Sequence, residues 1–396
     1  MTTARLEARL SKLLSESASS VRAREEQTLE RIVGSLDSDF ILFGAGNLGR
    51  KVLGVLKKQG RTPAAFIDNN RSIRGKVIDG VPVMGPAEAA TKFDPKSVAI
   101  ITTIWSGEAA DRMCDRLGPL KELGFSKIAL FGHLAWKYPV GLLPHFSLDR
   151  PSKMLDRAAD IMTAFRLLAD DESRDIFVNN VEWRLFLDYD VLPPPAREEI
   201  YFNRRYITWL DTEVLYDIGA FTGDSTRSFL ATDRGKKFSE IHMFEPSWNN
   251  YRVLQEYVGS LGSTHGTIFP HCIALGDTVG EIRVESDHGP SSRVGTGNQT
   301  VPITTVDEIS KSIPGPTFIK IDVEGFEPQC FQGAKQTIAR TAPAIAASVY
   351  HIQSHLWDII LQLHQYQDEY TFRLCPHCPD GWDLVLYAVP ANRVPV

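Results

Sequence analysis

Acidic and basic side chains recur at the ends of short apolar runs in the second half of the chain, where they could do chemistry. Asp217-Ile-Gly-Ala-Phe-Thr-Gly-Asp224 follows the apolar Val214-Leu-Tyr216 and precedes a helical pattern starting near Ser225. Gly219 and Gly223 let the backbone turn tightly and approach a ligand, while Asp217 stands at the carboxyl end of a strand, where open α/β sheets bind their ligands. The spacing is G-x-x-x-G with an acid before it, so the loop suits a ligand with an ammonium group and a ribose better than a pyrophosphate. Glu245 ends the next run, Ile241-His-Met-Phe244, and a carboxylate there can accept both hydroxyls of a ribose. A bare βα turn and a solvated loop acid are the plainer readings. The two acids in this order make each other more credible. In Phe318-Ile-Lys-Ile-Asp322, strand alternation sets Phe318, Lys320 and Asp322 on one face. A lysine in so apolar a run needs a carboxylate, Asp217 or Asp322, and reads as an internal ion-pair member rather than a base.

The elements that must position these residues follow from the hydrophobic pattern. A chain of 396 residues, 43% apolar and 23% charged, is globular and long enough for two or three domains. Its 49 acids against 43 bases lack the basic excess of a general nucleic-acid binder, so no nucleic-acid partner is expected. No apolar run spans a bilayer and no secretory segment opens the chain, so a cytoplasmic protein without a membrane span is expected. Five cysteines, an odd number thinly spread, argue against a disulfide framework. Residues 1–36 read as a helical arm with Leu6, Leu10, Leu13 and Leu14 at helical spacing, packing on a neighbour and offering a route to a homo-oligomer. Residues 37–133 read as βαβ units closing a small parallel sheet, and 134–197 as a helical connector and lid with one long helix from about Ser152 to Asp188. Residues 198–396 hold a second series of βα units ending in a hairpin around Pro379-Asp-Gly381. The fold class is therefore α/β, two Rossmann-like domains joined by a helical connector, the second a doubly wound, mostly parallel sheet with an antiparallel edge hairpin.

Six motifs in order carry a resemblance: Tyr216-Asp-Ile-Gly-Ala-Phe-Thr-Gly-Asp224, Phe244-Glu-Pro246, Ala274-Leu-Gly-Asp277, Thr305-Val-Asp-Glu308, Phe318-Ile-Lys-Ile-Asp-Val-Glu-Gly-Phe-Glu327 and Ser348-Val-Tyr-His351. Over residues 198–390 the chain resembles the FkbM family of S-adenosylmethionine-dependent methyltransferases. The resemblance implies a class I methyltransferase fold, with Asp217, Gly219, Ala220, Gly223 and Asp224 around the methionine part of the cofactor. It puts Glu245 on the ribose, Ile273 and Ala274 near the adenine, and Asp322 at the cofactor cleft. The family's activity is methyl transfer, commonly to oxygen, on sugars or secondary metabolites, so a small-molecule or glycan acceptor is expected.

Methyl transfer to a hydroxyl is an in-line displacement from a sulfonium, and the acceptor must lose its proton. His351, ending the strand after Asp322, Glu324 and Glu327, is the expected base, with Asp322 and Glu324 positioning the acceptor. The alternative is a divalent metal on Asp322, Glu324 and His351, acting as Lewis acid. The base is preferred because ligand geometry is not readable from sequence, and a hydrogen-bonding role for His351 at a strand end stays open. The serine-rich segment Gly289-Pro-Ser-Ser-Arg-Val294 is similar to a family loop over the active site, so Ser291, Ser292 and Arg293 could touch cofactor or substrate. Cys375-Pro-His-Cys378 departs from the family, where this loop more often carries Arg-His. A lone C-x-x-C without a second pair argues against zinc, and His377 could instead reach the acceptor.

Gly44-Ala-Gly-Asn-Leu-Gly49 is G-x-G-x-x-G between a strand and a helix, and Asp68 ends the next strand, 19 residues beyond Gly49. With Phe66-Ile-Asp-Asn-Asn70 and Gly80-Val-Pro-Val83 it resembles the N-terminal Rossmann-like domains of sugar-modifying acetyltransferases. That resemblance implies a second nucleotide or nucleotide-sugar site at Gly44, Gly46, Gly49 and Asp68. Two competing readings follow from it: a nucleotide-sugar sensor or scaffold without methyl transfer, and an NAD(P)-dependent oxidoreductase working through this domain, which lacks a visible hydride-transfer triad.

Overall fold

Short, largely apolar runs set two mostly parallel sheets, each covered on both faces. In a computed structural model that describes residues 1–105, 111–232, 237–262, 266–284 and 299–395, the first sheet has six strands. Their spatial order is Val77–Ile78, Val81–Met84, Ala65–Ile67, Phe40–Phe43, Ala99–Thr102 and Lys127–Ala129. Phe40–Phe43 and Ala99–Thr102 are buried at every position, as expected of parallel strands with helices on both sides.

The second sheet has seven strands in the order Tyr370–Pro376, Leu384–Pro390, Ala344–Ser348, Phe318–Ile321, Val214–Ile218, Glu240–Phe244 and Thr267–His271. Leu384–Pro390 alone runs antiparallel, so the reversed strand lies second from the edge rather than at it. Chain order reverses between Val214–Ile218 and Phe318–Ile321, which makes the gap beyond their carboxyl ends the crevice for a ligand. The register sets Lys320 opposite Asp217 across that gap. A third sheet, Ala274–Leu275, Gln299–Thr304 and Gly280–Val284, was not anticipated; Ala274–Leu275 is only two residues long, and the two longer strands are half-exposed and lack an apolar run. Ser291, Ser292 and Arg293 lie outside the described residues.

The arm folds as two helices, Thr3–Leu14 and Ala18–Val33, the second capped by the Ser17 side chain accepting from the Ser20 amide. The seam expected to meet a neighbour is buried within the chain itself. Leu6, Leu10 and Leu14 join the core of the second sheet, and Leu29 and Val33 that of the first. Each fully buried leucine contributes about 2 kcal/mol, so the arm bridges the two halves. The single long helix expected over 152–188 is three: Pro151–Leu155, Ala158–Leu167 and Asp171–Phe186. Leu168 turns extended and bridges to Phe372, and the Asp170 side chain caps the last helix at Ser173. These helices pack into the core of the second sheet as an outer layer. Among the described residues no helix is long and apolar enough to cross a membrane.

Candidate active site

At the switch point, polar groups are stacked on apolar strands. Gly219 has φ +77°, and a Cβ there would lie 1.8 Å from the Asp322 carbonyl oxygen, so only glycine lets the two strand ends approach. Asp217 is fully buried: Ser225 and Thr226 donate to its Oδ2 at 2.6 and 2.8 Å, and Lys320 Nζ stands 3.0 Å from Oδ1. Lys320 also donates to the Gly219 carbonyl at 2.6 Å. Burial works against its charge, but Asp217, Asp322 and Asp224 outweigh it and hold the amine above the usual lysine range. Lys320 is thus an internal ion-pair member, and Asp217 is consumed in fixing the loop.

Glu245 accepts from the amides of Phe221 and Ser247, both at 2.9 Å, which ties its strand end to the glycine loop. Its burial nonetheless pushes the carboxyl up to about 7. Beyond Asp322 the chain turns through Glu324, whose φ of +54° is uncommon outside glycine and costs of order 1–3 kcal/mol.

His351 enters this turn from the adjacent strand. Its Nδ1 lies 2.7 Å from Glu327 Oε1, and its Nε2 lies 3.3 Å from Asp322 Oδ1 and 3.8 Å from Glu324 Oε2. Glu327 also accepts from the Val323 amide at 3.0 Å and faces His355. Burial disfavours a charged His351, but Glu327, Asp322 and Glu324 overcome it and raise the ring to about 10. The same two histidines hold the buried Glu327 well below the usual carboxylate range against its desolvation. The Tyr201 hydroxyl donates to Asp322 Oδ2 at 2.7 Å. Among the described residues Asp322, Glu327 and His351 form the one cluster with metal-ligand spacing.

Two cavities flank this turn. One, of about 770 Å³, is bounded by Gly219, Glu245, Lys320 and Asp322; the other, of about 600 Å³, by Phe146, Phe326, His351 and Ile352. Glu324 lines both. Two spaces that share the Glu324 wall offer separate room for a donor and an acceptor.

Residues 217–374 match the model of the methyltransferase FkbM domain. This part of the chain is an FkbM methyltransferase domain. A crystal structure of methyltransferase FkbM from Methylobacillus flagellatus KT superposes with a TM-score of 0.73 at 22% identity, covering 97% of this chain and 98% of that one, so the fold is shared over both halves. An rRNA methylase from Streptococcus thermophilus is matched more distantly, at 12% identity over 46% of this chain and 88% of that chain, with a TM-score of 0.27. No curated protein matches the chain. The chain is a methyltransferase, and the family implies S-adenosylmethionine as its cofactor.

Within the FkbM domain the cavity brings together Gly219, Asp224, Glu245, Asp322 and Glu324 of the residues singled out from sequence. It does not reach Asp217, Ala220, Gly223, Ile273 or Ala274. Ala220 is buried beneath the loop, and Gly223 has φ +88° with Tyr257 packed where a Cβ would stand. Ala274 belongs to the third sheet. His351 lines the second cavity instead. Sequence reasoning assigned no role to Tyr201 or Tyr350, which both line the first cavity. Tyr350 stood in the Ser348–His351 motif, whereas Tyr201 carried no local signal. Cys375 and Cys378 are free thiols pushed up to about 12 by burial, and Cys378 donates to Asp383 at 3.0 Å. His377 lies 3.2 Å from the Tyr387 hydroxyl and lines neither cavity.

Outside the FkbM domain, Gly44, Gly46 and Asp68 line a cavity of about 690 Å³. Gly49 instead packs the helix on the strand, since a Cβ there would sit 2.0 Å from the Gly44 carbonyl oxygen. Asp68 accepts from the Ala45 amide at 2.8 Å and the Asn70 amide at 2.7 Å, the two-amide arrangement that Glu245 also has.

Proposed function

We infer that the chain moves the methyl group of S-adenosylmethionine to a hydroxyl of a small molecule, a sugar, glycan or secondary metabolite. The observation that carries this reading is the pair of cavities that share Glu324 in their walls, one at the switch point and one beside His351. In this reading the adenosyl donor fills the first. Glu245 receives the ribose hydroxyls, the Gly219 backbone permits close approach, and Asp224 presents a carboxylate to the ammonium end. The acceptor enters the second cavity, whose walls Phe146, Phe326 and Ile352 are apolar and suit the flat faces of a ring. The acceptor oxygen forms its bond to the methyl carbon as the carbon–sulfur bond breaks with its electron pair going to sulfur. The hydroxyl proton passes to a carboxylate, Asp322 or Glu324, because the carboxylates around His351 already hold its ring protonated. Alignment of oxygen, carbon and sulfur supplies most of the rate, which the fixed strand ends favour.

The test is incubation of the full chain with methyl-labelled S-adenosylmethionine and panels of hydroxylated sugars and aromatic metabolites, read by mass spectrometry. Label on an oxygen of one class is the expected result, and label on carbon or nitrogen contradicts it. The N-terminal cavity favours a second ligand, a nucleotide or nucleotide sugar. Gly46 caps the Asn47–Lys58 helix with no atom within 4 Å of where a Cβ would stand, leaving room for a phosphate. Calorimetric titration with a nucleoside diphosphate sugar checks that reading, and absence of heat contradicts it.

A further inference from the structure

Glu324 is common to the walls of both cavities, whereas Asp322 lines only the first and His351 only the second. Its backbone is in the left-handed region at φ +54°, and Gly325 follows at φ +105°. Such a conformation persists only where the surroundings fix it. Here one fully buried carboxylate does so: Glu327 Oε1 accepts the amides on either side of Glu324, Val323 at 3.0 Å and Gly325 at 3.4 Å. The same oxygen lies 2.7 Å from His351 Nδ1, and the other faces His355 Nδ1 at 3.2 Å. Gly325 packs on Ile352, whose Cδ1 would stand 3.3 Å from a Cβ there. None of these four, Glu327, His351, Ile352 and His355, lines the first cavity, yet together they set the Glu324 carboxylate in both walls.

The neighbouring groups that could take the acceptor's proton are already engaged. One Asp322 oxygen accepts the Tyr201 hydroxyl at 2.7 Å, and the other stands 3.3 Å from His351 Nε2. Despite burial, Glu327, Asp322 and Glu324 keep the His351 ring charged, so both its nitrogens are donors and neither has a lone pair for a further proton. Glu324 Oε2 stands 3.8 Å from His351 Nε2, where the charge on the ring draws the carboxylate toward it.

We propose that Glu324 is the general base of the reaction and Glu327 the positioning residue that holds it. The inference deepens the methyl-transfer reading and rests on it. With the donor in one cavity and the acceptor in the other, the methyl carbon and the acceptor oxygen approach where Glu324 belongs to both walls. The oxygen–carbon bond forms as the carbon–sulfur bond breaks with its electron pair going to sulfur, and the hydroxyl hydrogen passes to a Glu324 oxygen, which later releases it to water. The charges of sulfonium and carboxylate vanish together, leaving an ether, a thioether and a carboxylic acid.

The test uses the acceptor labelled in the screen above, beside the same compound with fluorine next to the reacting hydroxyl, which makes that hydroxyl more acidic. Turnover and S-adenosylmethionine affinity are measured for the full chain, Glu324→Gln and Glu327→Gln. Glu324→Gln should lower kcat by about 10²–10⁴-fold with a much smaller change in cofactor Kd, and the loss should shrink by about tenfold or more with the fluorinated acceptor, which needs a base less. Glu327→Gln keeps an oxygen for the two amides and removes the charge. It should lower kcat by about tenfold, equally for both acceptors and at unchanged cofactor Kd, because the base is displaced and not lost. A Glu324→Gln enzyme within about threefold of wild type, or one whose loss is the same with both acceptors, overturns the base. Unchanged kcat in Glu327→Gln overturns its positioning role. Failure of the wild-type chain to label any acceptor takes the methyl-transfer reading and the base together, whereas failure in the variants alone removes only the base.

Discussion

The chain contains two strand–glycine–helix corners that are built alike and end differently. In each, an acid after the second strand accepts an amide of the glycine loop: Glu245 from Phe221 at 2.9 Å, Asp68 from Ala45 at 2.8 Å. Each corner also has a glycine pressed on a carbonyl, Gly219 on Asp322 and Gly49 on Gly44. The strand tips differ. In the C-terminal sheet Asp217, two residues before Gly219, stands between Lys320 and Met243, whereas in the N-terminal sheet Leu42, two residues before Gly44, stands between Phe66 and Ile101. Glycines and a trailing acid are therefore enough to build the turn, and they recur wherever a strand feeds a helix closely. Charges at the strand tips, with a histidine delivered by the neighbouring strand, separate a reactive centre from a turn that offers only backbone.

That comparison can be broken most severely at Lys320. Lys320→Met leaves Asp217 buried without its cation and should cost about 3–5 kcal/mol, read as a lowered urea midpoint. No charged pair occupies the corresponding N-terminal position, where apolar exchanges at Leu42 of similar volume should cost less than about 1.5 kcal/mol by the same measurement.

Glycine replacements sharpen it next. Gly219→Ala should weaken S-adenosylmethionine binding by about a hundredfold or more, because the new methyl group pushes the strand ends apart and backbone at φ +77° disfavours alanine. Gly49→Ala, equally crowded, should lower the thermal midpoint and leave the cofactor affinity of folded protein unchanged. Displacement of a fluorescent cofactor analogue beside a melting curve separates the two.

A smaller effect is expected from pH. The Glu245 carboxyl titrates near 7 rather than at its ordinary value of 4.5, so below 7 the free protein carries a proton there. If the ribose is held by the ionised carboxylate, cofactor affinity is full above pH 7 and falls by up to about tenfold per pH unit below it. Glu245→Gln should flatten that profile, and an unaltered slope would exclude Glu245 from the ribose. The same raised value means that Glu245 withdraws stability as pH rises from 4.5 through 7. The smallest change is at Gly46. With open space around it, Gly46→Ala should cost about 0.5–1 kcal/mol through the poorer cap and leave methyl transfer intact.

Much of this layout was legible in the sequence because the strands are short, largely apolar runs. Phe40–Phe43, Val214–Ile218 and Phe318–Ile321 are bounded by glycines, acids or prolines, so both periodicity and punctuation mark them. Lys320 was readable as a paired lysine because an amine in such a run has no other way to stay charged. The fate of Asp217 was not, since the partners that consume its lone pairs, Ser225 and Thr226, depend on how the following helix begins. Tyr201 was invisible for another reason: its contact with Asp322 joins residues 121 positions apart, and nothing around it repeats. The arm misled because its leucine seam is the same whether it covers a neighbour or its own chain, and burial of Leu6 and Leu10 shows the latter. The small third sheet escaped notice because its half-exposed strands alternate weakly.

Hydrogen–deuterium exchange of the full chain with and without S-adenosylmethionine tests the central claim directly. The account predicts slower exchange in peptides carrying Asp217–Asp224 and Glu245–Asn250, with the Gly44–Gly49 loop unchanged. Protection at Gly44–Gly49 instead, or no protection at saturating cofactor, would contradict it.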